Sequence, residues 1–141
     1  LTDEIHLDIA HLPQSVFQQP RRLRADNWIG AFLCANPIAL HDLGHWFEFT
    51  QASAGAQFDL PEYVLQRARQ FSEKARQDWL DLQSQPHQAS PQQIHQYLDI
   101  LENAANAVSV LYGTPLTERR FLIHFPRRAE AAGRPRPIIL F

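Results

Sequence analysis

Methionine is absent from the 141 residues of this chain, and cysteine occurs once, at Cys34. Because translation begins at methionine, we expect the chain to be a processed form or a piece of a longer protein. A single thiol can form neither an internal disulfide nor a thiolate metal site by itself. Since Cys34 lies in the apolar run 28–35, we expect a buried structural thiol rather than a nucleophile.

Long apolar runs are also absent. No stretch approaches the roughly 18 apolar residues of a membrane span, and the first residues lack the basic and apolar regions of a signal peptide. These absences predict a cytoplasmic protein without membrane partners. With 45% hydrophobic and 20% charged residues, the composition is typical of one globular domain and excludes a disordered or fibrous chain.

The charge is small overall but unevenly distributed. The formal net charge is −2, yet residues 117–141 contain six arginines and only two glutamates. The overall balance argues against a protein that coats nucleic acid. The arginine-rich end is either a solvated surface or a place where phosphate groups bind.

Two segments have the pattern of strands. Residues 4–12 alternate, with Ile5, Leu7 and Ile9 on one side, and Ile38 to Leu40 form a short extended piece after Pro37. One strand leaves unpaired backbone groups on both edges. We therefore expect 4–12 to be the last strand of a sheet whose other strands lie upstream of this chain.

The remainder is expected to be helical. Helices are predicted from Pro20 to Ala35, over 45–54, from the Asp59 cap to Leu82, from the Ser90 cap to Leu111, and from Thr117 to a point before Pro126. The third and fourth have apolar residues at steps of three and four and are much the longest. The fold class predicted is mainly α: a bundle of four to five helices with two long antiparallel ones, preceded by one or two short strands.

Asp8 is the first candidate for chemistry. It lies between Leu7 and Ile9 on the predicted strand and points away from the packed side. A rigidly held carboxylate of this kind can bind the divalent ions that assist nucleotidyl transfer, while the alternative is a solvent-facing residue on an edge strand.

Polar residues interrupt the fourth predicted helix. Glu102, Asn103 and Asn106 can hydrogen-bond a substrate or cross-link neighbouring helices. Together with Arg119, Arg120, Arg127 and Arg128 they suggest a polar, cationic pocket beside the bundle.

Two histidine motifs suggest other enzymes. His41 to His45 has the spacing of a zinc protease motif, with Asp42 in place of the longer glutamate of that motif. Gly44 and Asp42 favour a turn instead. Arg119 precedes His124 by five positions, the spacing of one class of helical ribonuclease domains, in which arginine stabilises the phosphate and histidine transfers the proton.

The order of these features resembles the end of the catalytic core in nucleotidyltransferases of the polymerase-beta type. The resemblance rests on residues 4–9 with Asp8, the basic helix that follows, the stretch Asn36 to Gly44, and the string 107–121 in a helical domain. In that family a late strand supplies the third metal-site carboxylate, and an Asp-x-Gly turn leads into a helical bundle. The family's Gly-Ser turn and paired Asp-x-Asp are absent from these 141 residues.

The resemblance implies a division of the chain. Residues 1–44 would be the remnant of the nucleotidyltransferase core, with Asp8 as catalytic carboxylate and metal ligand, and residues 45–141 the substrate-side helical bundle. Glu102, Asn103, Asn106, Arg119 and Arg120 would contact substrate. Mg²⁺ would bind only with the upstream catalytic domain, whose partners would be a nucleotide and an unknown acceptor, so this chain alone is expected to be inactive.

Two other functions stay open. The chain can be a non-catalytic interaction module that forms a homodimer through the faces Val64–Leu82 and Ile94–Leu111, which are rich in aromatic residues. It can also be a helical ribonuclease-like domain that uses Arg119 and His124.

Overall fold

The computed structural model describes residues 9–35, 37–86 and 90–133. Within these ranges the chain forms six α-helices joined by short loops and three single 3₁₀ turns, at Gln14–Phe17, Leu43–His45 and Val110–Tyr112. The helices are α1 (Pro20–Leu23), α2 (Ile29–Cys34), α3 (Trp46–Gly55), α4 (Pro61–Gln83), α5 (Pro91–Ser109) and α6 (Glu118–Ala131). A mainly helical chain with two long helices is therefore confirmed, with six helices in place of four or five.

The predicted strands are not seen. Residues 9–12 have no regular secondary structure, and residues 1–8 lie outside the described residues. Ile38 and Leu40, predicted to be extended, are 86% and 96% exposed and belong to no sheet. An extended segment needs a neighbour to pair its backbone groups, and the described part of the chain supplies none. The division of the chain at residue 44 stays a prediction.

The helix predicted from Pro20 to Ala35 is two helices. Asp26 separates them, because its Oδ1 accepts hydrogen bonds from the backbone N–H groups of Trp28 and Gly30, each at 3.0 Å. A carboxylate that binds backbone groups in this way caps a new helix. The chain turns here, and Trp28 lies at the turn.

The long helices begin as the sequence predicts, with one difference in capping. The Ser90 side chain accepts a hydrogen bond from the N–H of Gln93 at 3.2 Å, so the predicted cap of α5 is confirmed. At α4 the predicted cap was wrong: Leu60 holds the cap position and no side chain bonds to the free amides. Pro61 lies in the first turn, where its missing N–H costs nothing.

The last helix continues past Pro126, where it was expected to end. A proline inside a helix removes one hydrogen bond and costs about 3 kcal/mol. Contacts on both sides of the proline offset this cost. The rings of Phe121 and Phe125 stack at 5.1 Å, and Ala129 is buried.

The helices pack in two groups, α1 to α3 and α4 to α6. Leu23, Leu33 and Ala54 form a buried cluster where α1, α2 and α3 meet, and Phe17 and Phe47 pack against it. In the second group α4 packs along α5, and α5 contacts α6. Phe71 and Ile100 are buried on α4 and α5 respectively.

Arg67 joins the two groups. Its side chain is 1% exposed and its Nη1 donates hydrogen bonds to the carbonyl oxygens of Arg24 and Phe58. The guanidinium lies over the Phe58 ring, 3.6 Å from the ring centroid, and burial lowers its pKa. The group therefore ties α4 to the end of α1 and to the loop after α3.

Among the described residues, no helix combines the length and the apolar composition needed to cross a bilayer.

Candidate functional site

A polar cleft of about 520 Å³ opens where α4, α5 and the turn before α2 meet. It is lined by Asn27, Trp28, Gln70, Phe71, Lys74, Asp78, Asp99, Glu102 and Asn103. On α4 and α5 these residues recur at helical spacing, so each helix presents one polar edge to the cleft. We refer to it as the acidic cleft.

Its aromatic wall is fixed by packing. The edge of the Trp28 ring meets Phe71 with the ring centroids 5.6 Å apart and the planes at 83°, a favourable geometry for two aromatic rings. Phe71 is 1% exposed, whereas about half of Trp28 is exposed. The indole is therefore held from behind and presents its other side to solvent.

Asn27 joins this wall to α4. Its Nδ2 donates a hydrogen bond to Oε1 of Gln70 at 3.1 Å. Its Oδ1 is buried and has no hydrogen-bond partner, which is a costly state for a polar atom. Because this oxygen is inaccessible to solvent, a donor could reach it only after the Asn27 side chain shifts.

Negative charge dominates the cleft. Asp78, Asp99 and Glu102 contribute carboxylates, and the single ammonium group, that of Lys74, lies 2.7 Å from Oδ1 of Asp78. Carboxylates attract a positively charged ligand most strongly where water is partly excluded from the site. The arrangement can therefore bind a cationic, hydrogen-bonding molecule, and among the described lining residues there is no hydroxyl, thiol or imidazole side chain.

The structure brings together two of the substrate residues predicted from the sequence. Glu102 and Asn103 both line the acidic cleft. No arginine is among the described residues that line it, so the structure does not bring Arg120, Arg127 or Arg128 to Glu102 in this cleft. Arg120 lies exposed on α6, while Asp8 and the side chain of Arg119 lie outside the described residues.

Asn106 has a different environment. It is 0% exposed, its Nδ2 donates to the Leu116 carbonyl at 2.8 Å, and its Oδ1 accepts from the Leu116 N–H at 2.9 Å. Both ends of the amide are used to hold the loop between α5 and α6. This is the cross-linking role that the sequence left open as the alternative to substrate binding.

The sequence prediction missed most of the cleft. Lys74 and Asp78 are four residues apart on α4, and Asp99 precedes Glu102 and Asn103 by three and four residues on α5. These spacings share a helix face and could have found the three residues. Asn27 and Trp28 have no such signal, because they reach the cleft only through the packing of the turn against α4.

One group of possible metal ligands occurs among the described residues, at the start of α3. Ligand atoms of Asp42, His45 and Glu48 lie within 4.8 Å of one another. Asp42 accepts hydrogen bonds from the N–H groups of Phe47 and Glu48, and Nδ1 of His45 lies 2.9 Å from Glu48. Mg²⁺ prefers octahedral oxygen ligands, so a set with an imidazole and a capping carboxylate does not fit it.

The predicted turn at Gly44 is present. Gly44 has φ 80° and His45 has φ 57°, and α3 begins only at Trp46. His41 and His45 are therefore not one turn apart on a helix, as the zinc protease mechanism requires.

Cys34 is partly buried at the end of α2. Burial, with a smaller effect from the charge of Asp59, raises the pKa of its thiol to about 11. A thiol with so high a pKa is a poor nucleophile at neutral pH, in agreement with the structural role predicted for it.

Comparisons with protein family models, with curated proteins and with solved structures found no match for this chain. Function must therefore be argued from its own residues.

Proposed function

We propose that this chain is the helical, substrate-side part of a nucleotidyltransferase-like protein and that the acidic cleft binds the acceptor substrate. The observation that supports it is the position of Glu102 and Asn103. Two of the five residues selected from the sequence as substrate contacts lie together in a cleft whose lining also includes an indole ring and two further carboxylates.

The charge of the cleft defines the class of acceptor. A molecule with hydroxyl groups and at least one ammonium group would meet the carboxylates with its charge, the Asn103 amide with its hydroxyl groups, and the Trp28 ring with its apolar surface. The sequence resemblance adds the remaining partners: a nucleotide and an upstream catalytic domain, to which Asp8 would contribute the third carboxylate for Mg²⁺.

The proposal includes an antiparallel arrangement of the two long helices, α4 and α5. Contacts near the loop between them support that arrangement. Trp79 meets Tyr97 with ring centroids 6.3 Å apart, and Gln85 bonds to Gln96 at 3.3 Å. An antiparallel pair would set the cleft residues of α4 and α5 opposite one another along its length.

Binding of a diamine tests the cleft. Isothermal titration calorimetry with 1,4-diaminobutane is expected to give saturable binding to this chain, and Glu102→Gln is expected to weaken it by about tenfold, the effect of losing one charge-assisted hydrogen bond. Glu62→Gln is the matched control, because Glu62 is exposed on α4 outside the cleft. Equal affinities for the two variants would refute the assignment of the cleft.

Activity tests the rest of the proposal. With magnesium and a nucleoside triphosphate, this chain is expected to transfer no nucleotide to an amine acceptor. A protein that joins it to a core with the other two carboxylates is expected to do so, and Asp8→Asn in that protein is expected to abolish transfer. Turnover by the present chain alone would contradict the proposal.

A second candidate function has its own observation. On α5 the side chains of Ile94, Tyr97, Leu98 and Leu101 are each 43–56% exposed, although they share one helix face. Such a stripe is typical of an interface, here one between two copies of the chain. Sedimentation equilibrium is expected to show a dimer that Leu98→Glu dissociates, and a monomer at all concentrations would eliminate this function.

A further inference from the structure

The last helix carries a basic face that the proposed function leaves unused. His124, Arg127, Arg128 and Ala131 follow one another at steps of three, one and three, which places them on one side of α6. Tyr112, from the 3₁₀ turn after α5, lies across from them. These five residues line a pocket of about 350 Å³, which we call the basic pocket, and it shares no residue with the acidic cleft.

Arg128 is held in place by the protein. Its Nη1 donates hydrogen bonds to the carbonyl oxygen of Ser109 at 3.3 Å, to the Ser109 hydroxyl at 2.9 Å, and to the Thr114 carbonyl. Ser109 is fully buried. The positive charge therefore has a fixed position before any ligand arrives, which reduces the entropy lost on binding.

Gly113 leaves room for this guanidinium. It has φ 145°, which an L side chain rarely adopts, and a Cβ atom at this position would lie 3.0 Å from Nη2 of Arg128. A side chain at residue 113 would therefore press on the guanidinium, which would have to shift by a few tenths of an ångström.

The groups that face the pocket are all able to donate hydrogen bonds to an anion. Arg127 and Arg128 are permanently charged, Tyr112 has a hydroxyl, and His124 has a ring N–H. No carboxylate is among the lining residues within the part of the chain that the structure describes. Guanidinium groups match the oxygen geometry of phosphate and can bind it through two parallel hydrogen bonds.

We propose that the basic pocket binds the phosphate groups of a small phosphorylated ligand. Its volume lies near the lower end of the range for small-molecule sites, which suits a phosphate or diphosphate group. A polyanion such as RNA is less suited, because the chain has a net charge of −2 and the acidic cleft would repel it. The proposal does not depend on the acceptor function of the acidic cleft.

Titration calorimetry with pyrophosphate at constant ionic strength tests the proposal. We expect saturable binding to the intact chain, about tenfold weaker binding to Arg127→Gln, and weaker binding to His124→Ala. Arg69→Gln is the matched control, since it removes the same charge from an exposed position on α4 outside the pocket. Arg127 and His124 are both exposed, so their variants are expected to fold, which thermal denaturation checks.

Three results would overturn the proposal. The first is no saturable binding of pyrophosphate below about 10 mM, and the second is an equal loss of affinity in Arg127→Gln and Arg69→Gln. The third is tighter binding of a single-stranded RNA oligonucleotide than of pyrophosphate, with the steep salt dependence of a polyanion site. Sulfate is expected to bind more weakly than pyrophosphate, and equal affinities would reduce the pocket to a general anion site. Glu102→Gln is expected to bind pyrophosphate normally, which separates this test from that of the acidic cleft.

Discussion

The acidic cleft and the basic pocket differ in charge and in how the chain builds them. Three segments far apart in the sequence meet at the acidic cleft, and its indole wall depends on the packing of Trp28 on Phe71. Four of the five residues of the basic pocket come from one face of α6, and the fifth from the turn that precedes it. The first site therefore depends on tertiary packing, whereas most of the second is determined by the residue order of one helix.

In the chain, Asn106 lies between Asn103 of the acidic cleft and Tyr112 of the basic pocket. Its substitution tests how far the fold around both sites depends on one buried amide. Asn106→Ala would leave the buried N–H and carbonyl of Leu116 without their partners. Since each unsatisfied buried group costs roughly 1–3 kcal/mol, we expect a loss of about 3 kcal/mol in the free energy of unfolding, measured by urea denaturation. This is the largest effect that we predict.

Asn103→Ala is its control. Asn103 is one helical turn away and only partly buried, so we expect a loss of less than about 1 kcal/mol together with weaker diamine binding. If both variants lost the same stability, Asn106 would not hold the loop in the way the hydrogen bonds indicate.

Two glycine variants separate backbone strain from the contact with Arg128. Gly113→Ala is expected to cost about 1–2 kcal/mol because of its positive φ and to weaken pyrophosphate binding because the new methyl group displaces the guanidinium. Gly133 also has a positive φ, of 70°, but no atom lies within 4 Å of the position of its Cβ.

Gly133→Ala is therefore expected to cost a similar amount of stability, about 1 kcal/mol, while pyrophosphate binds as before. Thermal denaturation and calorimetry on the same samples make the comparison. Unchanged phosphate binding in Gly113→Ala would show that the position of Arg128 does not matter to the pocket.

The smallest effect is expected at Lys74. Its ion pair with Asp78 is exposed on the lysine side, and such pairs contribute less than about 0.5 kcal/mol. Lys74→Ala should leave stability nearly unchanged but raise the affinity of the acidic cleft for 1,4-diaminobutane by about twofold, because the one positive charge among its described lining residues is removed. A decrease in affinity would mean that the lysine itself contacts the ligand.

Local signals predicted the parts of the fold that local interactions determine. The cap of α5 at Ser90 and the turn at Gly44 depend on a few neighbouring residues, and both are present. Pro126 was misleading for the opposite reason. Proline locally favours the end of a helix, but α6 extends past it, where stacking of Phe121 on Phe125 and burial of Ala129 stabilise the helix.

The same distinction applies to the candidate sites. The polar interruption of α5 predicted Glu102, Asn103 and Asn106 for one site, because Glu102 and Asn106 are four residues apart on one helix face and Asn103 borders them. It could not predict that Asn106 turns toward Leu116, since that contact forms only when the next loop folds back. Nor could it predict Trp28, whose place depends on Asp26 dividing one expected helix into two.

Arg67 has a consequence for how the molecule opens. Its guanidinium bridges α4 to the end of α1 and to the loop after α3. Its Nε is buried without a hydrogen-bond partner, so water can bind this atom only when the junction opens. We therefore expect the first three helices to detach from α4 together rather than one residue at a time, because Arg67 holds α1 and the loop after α3 and these helices share one buried cluster. In hydrogen exchange, amides in α1, α2 and α3 should share a single opening free energy, and Arg67→Met should divide that common value into several.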